Sequence, residues 1–131
     1  MKNSLLILFI FAFLYSPKSY SQQIYNSNGS NIGRVNDNQY YDGTGKFIGK
    51  TSGDNIYNSN GSNIGRIDDN YLYNGSGSMI GRTNDNYLYD RTGSNIGRIG
   101  GDYIYDGSGK LIIHVNGLSR KQIIVYFYFF Y

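Results

Sequence analysis

The sequence predicts an all-β protein: a closed antiparallel meander of about six β-hairpins, each written in sixteen residues. Three observations carry this. One sixteen-residue unit runs without gaps from Ile24 to about Gly109, and a fixed internal period outranks other sequence signals. Tyr, Ile, Val and Thr fill the strand-forming positions, and no helical period appears between Gln22 and Gly109. Turn residues recur at two fixed places in each unit, which leaves two strands of roughly five or six residues.

The chain opens with a leader. Met1-Lys2-Asn3-Ser4 precedes the apolar run Leu5 to Tyr15, and Ser19 and Ser21 sit at the −3 and −1 positions of a cut after Ser21. A basic start, a short apolar core and small residues before the cut make a secretory signal peptide over residues 1–21. A retained anchor competes, but the run is shorter than the ~20 residues of a spanning helix. The expected location is therefore the periplasm, the cell surface or the extracellular space.

Export changes the charge balance. Without Lys2 and Lys18, ten of the twelve basic residues remain against nine aspartates, so the basic pI gives no support for nucleic-acid binding. There is no cysteine, so stability must come from packing and sheet hydrogen bonds. Closing the ring also removes the two exposed edges of an open meander.

The repeat domain spans 22–115. Its copies begin at Ile24, Tyr40, Ile56, Leu72, Leu88 and Ile104. Position two is always Tyr, position three Asn or Asp, position six Gly and position nine Ile; position ten is Gly and position eleven Arg or Lys in the first five copies. Segments such as Asp90-Arg91-Thr92-Gly93 suit a type I turn followed by a left-handed glycine, the three-residue hairpin with a bulge. If positions three and seven close that loop, two faces eight and one faces nine. Leu88 should then oppose Ile96, and Ile104 should oppose Ile112. Tyr at two and sixteen would share the other face with Gly at ten and cover its bare backbone. The second turn, Asn84-Asp85-Asn86 and its counterparts, is tight and polar.

The tandem pattern Tyr-Asp/Asn-x-x-Gly-x-x-Ile-Gly-Arg behind a signal peptide resembles the bacterial β-flower proteins, from Ile24 to about Ile112. The resemblance implies a shallow, radially symmetric barrel with hairpins splayed like petals, and implies no activity or functional residue. Ile113 and His114 replace Gly and Arg in the sixth copy, which leaves five or six complete petals.

Residues 116–131 form a hydrophobic C-terminal tail. The uncharged run Ile123 to Tyr131 is too short to span a bilayer as a helix and is expected as a closing strand or a poorly ordered segment. A membrane-surface foot, with Arg120 and Lys121 at the headgroups, is the alternative.

Chemistry has little to work with. There is no glutamate, and His114 is the single histidine, whereas a nucleophile needs a base and a zinc site several nitrogen or sulfur ligands. Asp68-Asp69 lies where turn geometry already calls for Asp. The Asn-Asp-Asn turns match neither calcium-binding spacing, and Gly53 and Gly101 interrupt the Asp column. The chain is read as no enzyme, with no cofactor and no metal. The sequons at Asn28, Asn60 and Asn74 follow from turn composition.

Two columns remain as ligand contacts. Arg34, Lys50, Arg66, Arg82 and Arg98 would form a circle on a closed ring, suited to phosphate, anionic lipid or sulfated glycan. Pairing with turn aspartates such as Asp69 or Asp85 is the plainer use. Tyr73, Tyr89 and Tyr105, beside Tyr71, Tyr87 and Tyr103, offer aromatic area suited to sugar faces; packing over strand glycines is the plainer use. The function expected is an exported, non-enzymatic β-repeat module for binding or structure. The alternative is a self-assembling β-solenoid matrix protein, with parallel pairing between units.

Overall fold

The Asp/Asn column at position three builds the wide turns. In the fifth copy Asp90 N–H donates to Ser94 O at 3.0 Å, and the Asp90 carboxylate accepts from the N–H of Thr92 and Ser94 and from the Thr92 hydroxyl. Gly93 supplies the left-handed residue, at φ 87°. Those hydroxyl and amide donors hold the Asp90 carboxyl below the usual carboxylate range, as they do at Asp42 and Asp106.

A computed structural model describes residues 22–131; the predicted signal peptide, 1–21, lies outside the described residues. The twelve strands are β1 (Gln22–Asn26), β2 (Asn31–Asn36), β3 (Gln39–Asp42), β4 (Phe47–Ser52), β5 (Asn55–Asn58), β6 (Asn63–Asp68), β7 (Tyr71–Asn74), β8 (Met79–Asn84), β9 (Tyr87–Asp90), β10 (Asn95–Gly100), β11 (Tyr103–Asp106) and β12 (Leu111–Asn116). They form one closed antiparallel barrel in which β1 pairs with β12, Ile24 facing Val115 and Tyr25 facing His114. Six hairpins complete the ring, and no pairing in it is the parallel kind a stacked solenoid needs.

The expected register holds for one residue pair and then slips. Tyr89 faces Asn95, which is two against eight, but Leu88 faces Gly97 and Tyr87 faces Arg98. Ile96 has no partner: position nine is a bulge in every copy. Leu88 therefore does not oppose Ile96, nor Ile104 Ile112. In three copies position eight caps the bulge: the side-chain carbonyls of Asn31, Asn63 and Asn95 accept the N–H of Gly33, Gly65 and Gly97 at 2.9–3.1 Å, while the copies with Phe47, Met79 and Leu111 there bulge without that cap. The extra residue bends the strand, and in the capped copies its neighbour's amide stays satisfied. Glycine at ten thus lies on the inner face with position one, not beside the tyrosines. The position-nine isoleucines stay partly buried against the core.

Position one forms an unbroken buried ring: Ile24, Tyr40, Ile56, Leu72, Leu88 and Ile104 are each at most 1 % exposed. Position fourteen explains the interrupted Asp column. Asp37, Asp69 and Asp85 take φ of 53–59°, and Gly53 and Gly101 take 61° and 63° at the same place. The backbone there is left-handed, which Asp tolerates and Gly prefers.

The tail is neither a strand nor disordered. Ser119 opens helix α1 (Arg120–Val125) with a capping box: its hydroxyl accepts Gln122 N–H, and the Gln122 side-chain Oε1 accepts Ser119 N–H. A π-helical turn, Tyr126–Phe130, follows, and Tyr131 N–H reaches Tyr126 O at 2.8 Å. Five successive rings meet five position-ten glycines around the lumen: Tyr126 at Gly33, Phe127 at Gly97, Tyr128 at Gly81, Phe129 at Gly65 and Phe130 at Gly49. A Cβ on Gly49 or Gly81 would lie 2.5 Å from the ring above it, which no packed structure accommodates without movement. The i→i+5 turn is wider than an α-helix and turns less than its 100° per residue, which brings successive rings nearer to the spacing of these stations. The sixth station holds Ile113, buried and 1 % exposed, where the other copies have glycine. The barrel is plugged by its own C-terminus.

Candidate functional site

Because glycine faces inward, alternation along each strand sends positions two, eleven and sixteen outward. Every predicted contact residue lands on this outer belt, and the pairing joins the two columns. Arg34 faces Tyr41, Arg66 faces Tyr73, Arg82 faces Tyr89 and Arg98 faces Tyr105. Each guanidinium lies 4.1–4.4 Å from the centroid of its partner's ring, and the Lys50 ammonium lies 6.0 Å from that of Tyr57. A cation over an exposed ring contributes about 0.5–1 kcal/mol. The cations therefore use the tyrosines, not the expected Asp69 and Asp85, as their main neighbours. Arg66 adds one exposed ion pair, to Asp68 at 3.6 Å, of a kind that contributes little.

On its other side each position-eleven residue faces position sixteen of the preceding copy, on the strand that opens its own hairpin. Here the ring is lopsided. In three successive hairpins the rows read Tyr71–Arg82–Tyr89, Tyr87–Arg98–Tyr105 and Tyr103–His114–Tyr25. In the other three the first place holds Gln23, Gln39 or Asn55. Tyr71, Tyr87 and Tyr103 are 44–46 % exposed. His114 takes the cation's place, stacked between Tyr103 at 4.8 Å and Tyr25 at 5.9 Å. It sits in an aromatic row with no carboxylate or hydroxyl nucleophile bonded to it among the described contacts.

Equivalent tyrosines stand two strands apart, roughly 9.5 Å. The half-belt is thus a periodic row of rings and cations. A stacked guanidinium keeps its N–H edge for a carboxylate or sulfate while the next ring offers a flat apolar face. Sequence reasoning named the two columns but missed Tyr25 and His114 as members, since only ring closure brings β12 beside β1.

Arg120 and Lys121, proposed from sequence as a membrane-facing pair, sit over the tight turns at one mouth. Arg120 donates to Asp85 O and Asn86 Oδ1, and Lys121 donates to Gly53 O at 3.1 Å and meets Asp54 at 3.5 Å. Among the described residues, no helix is long and apolar enough to cross a membrane, and no group of three or more His, Cys, Asp or Glu side chains is gathered as a metal site.

A family profile described as "5-fold beta-flower protein" matches residues 21–131. No curated protein and no solved structure matches the chain. In this chain the hairpins number six and the glycine–ring stations five.

Proposed function

The chain belongs to the 5-fold beta-flower protein family, and from that premise we propose that it is an exported, non-enzymatic binding module whose outer half-belt grips an anionic glycan. One observation carries the reading: tyrosines flank the position-eleven side chain on both sides in three adjacent rows, and only there. Rings stack on pyranose faces, and the interleaved cations meet carboxylate or sulfate groups along the same chain. Export is supported by the leader at residues 1–21: a basic start, a short apolar core, and Ser19 and Ser21 before the cut.

The test is a glycan array and calorimetry with uronic-acid and sulfated oligosaccharides against neutral ones. Specific binding of the anionic series, weakened about tenfold or more by Tyr87→Ala or Arg98→Ala and little changed by Gln39→Ala, is expected. Absence of any glycan signal, or equal loss from both halves of the belt, would overturn the assignment and favour a purely structural part.

A further inference from the structure

A second site lies at the mouth, away from the belt. Position twelve lines the lumen just inside the tight turns, as Val35, Thr51, Ile67, Thr83, Ile99 and Val115. Helix α1 covers this tier unevenly. Val35, Ile99 and Val115 are buried, but Ile67 is only partly covered. Beside it a cavity of about 420 Å³ opens between α1 and strands β6 to β8, within the range that holds small ligands.

Its walls are of two kinds. The floor is apolar: Ile67 is its partly exposed surface, with the buried Leu72, Ile124 and Thr83 around it. The Thr83 hydroxyl donates to Asn70 Oδ1 at 3.5 Å, the long limit of a hydrogen bond. The rim carries both signs of charge: Asp54 on a turn and Lys121 on the helix pair with each other at 3.5 Å, while Arg120, bonded to Asp85 O and Asn86 Oδ1, and Asp69 stand beside them. A simple anion would meet the aspartates and a simple cation the basic pair, and an apolar guest would desolvate all four. A zwitterion with an apolar body matches every wall.

We propose that this cavity binds short zwitterionic peptides with apolar side chains, of dipeptide size. The peptide's ammonium is set against Asp69 and its carboxylate against Arg120, while an apolar side chain covers the partly exposed Ile67. The site is independent of glycan binding, since no belt residue lines it.

Leucyl-leucine is the probe, titrated into the purified protein and followed by calorimetry and NMR shifts. N-acetyl-leucyl-leucine and leucyl-leucine amide serve as controls. Saturable binding of the free dipeptide is expected, with each blocked form about tenfold weaker or worse. Asp69→Asn should weaken the free dipeptide while leaving the acetylated one unchanged. Ile67→Phe, which fills the cavity, should abolish binding with the far-UV spectrum retained; Thr83→Val gives a second, isosteric probe, expected to weaken binding. Tyr87→Ala should leave dipeptide binding intact. No saturable binding, equal binding of all three ligands, or full binding by Ile67→Phe would overturn the site.

Discussion

The Phe129 ring lies directly on the bare backbone of Gly65, where even one added methyl group would strike it. Gly49 under Phe130 and Gly81 under Tyr128 are nearly as close, and Gly97 and Gly33 meet Phe127 and Tyr126 at 3.2 and 3.5 Å from a Cβ, so the barrel's interior is shaped to its own tail.

Gly65→Ala should therefore destabilise the fold by about 1–3 kcal/mol, as overpacking does. Phe129→Ala should cost roughly 2–4 kcal/mol through the void it leaves. Removing the ring relieves that part of the clash but not the 2.5 Å approach of the new Cβ to Tyr73 O, so the double variant should lose less than the sum yet stay less stable than Phe129→Ala alone. Urea unfolding of the four proteins measures this; strict additivity would mean the contact is not the cause.

Removing residues 119–131 should leave the barrel without a core plug, since the buried Val125 and Tyr126 and the ring stations all belong to that segment. The expected outcome is loss of the cooperative thermal transition. A synthetic peptide of residues 118–131 added to the truncated chain should restore it, because the segment reaches the lumen through the single connection at Gly117 and Leu118. Calorimetry with and without peptide decides.

Asp85 holds φ 53° in a tight turn. Asp85→Gly should be neutral or slightly stabilising, whereas Asp85→Val should cost about 1–2 kcal/mol, since a β-branched residue clashes in left-handed backbone. Chemical denaturation midpoints of the pair should move in these opposite senses.

Alkaline pH should unfold the protein through its interior tyrosines. Burial pushes the Tyr126 and Tyr128 hydroxyls up to about 12 and raises Tyr40 further. The unfolded chain releases these protons near pH ~10 while the folded chain keeps them, so stability is full below that pH and falls as pH rises toward 12. At the acid end the sign is reversed. Asp42, Asp90 and Asp106 are depressed, first by a Thr or Ser hydroxyl, so their contribution is present above the ordinary carboxylate range and lost as pH falls through the folded value. Urea midpoints across pH 8 to 11.5 test the alkaline limb, and Tyr128→Phe should flatten it. Tyr128 also donates to Tyr89 O at 2.7 Å, so that variant should lose some stability at neutral pH.

Much of the barrel can be read along the chain because its causes are local. The Asp90 turn, the left-handed Gly93 and the alternation of inward and outward residues each depend on neighbours a few places away. The bulge at Ile96 escaped that reading: one glycine per unit looked like a gap for a tyrosine, and the Asn95 amide that caps the slip signals nothing distinct in sequence. The tail held a legible clue, since Ser119-Arg120-Lys121-Gln122 has capping-box spacing. Its aromatic, uncharged run nonetheless favours strand by propensity. Both candidate-site columns were visible, yet their joining as ring-on-cation pairs required the register.

The sequence by itself determined the period, the turn types, the antiparallel meander and the residues that could face a ligand, since each is settled within one sixteen-residue copy. Tertiary structure alone decided that five glycines await five rings, that β12 brings His114 beside Tyr25, and that α1 leaves one sector of the mouth open. Those are contacts between residues up to about a hundred places apart, and a repeat that is nearly the same in every copy carries no local sign of which copy the tail will meet.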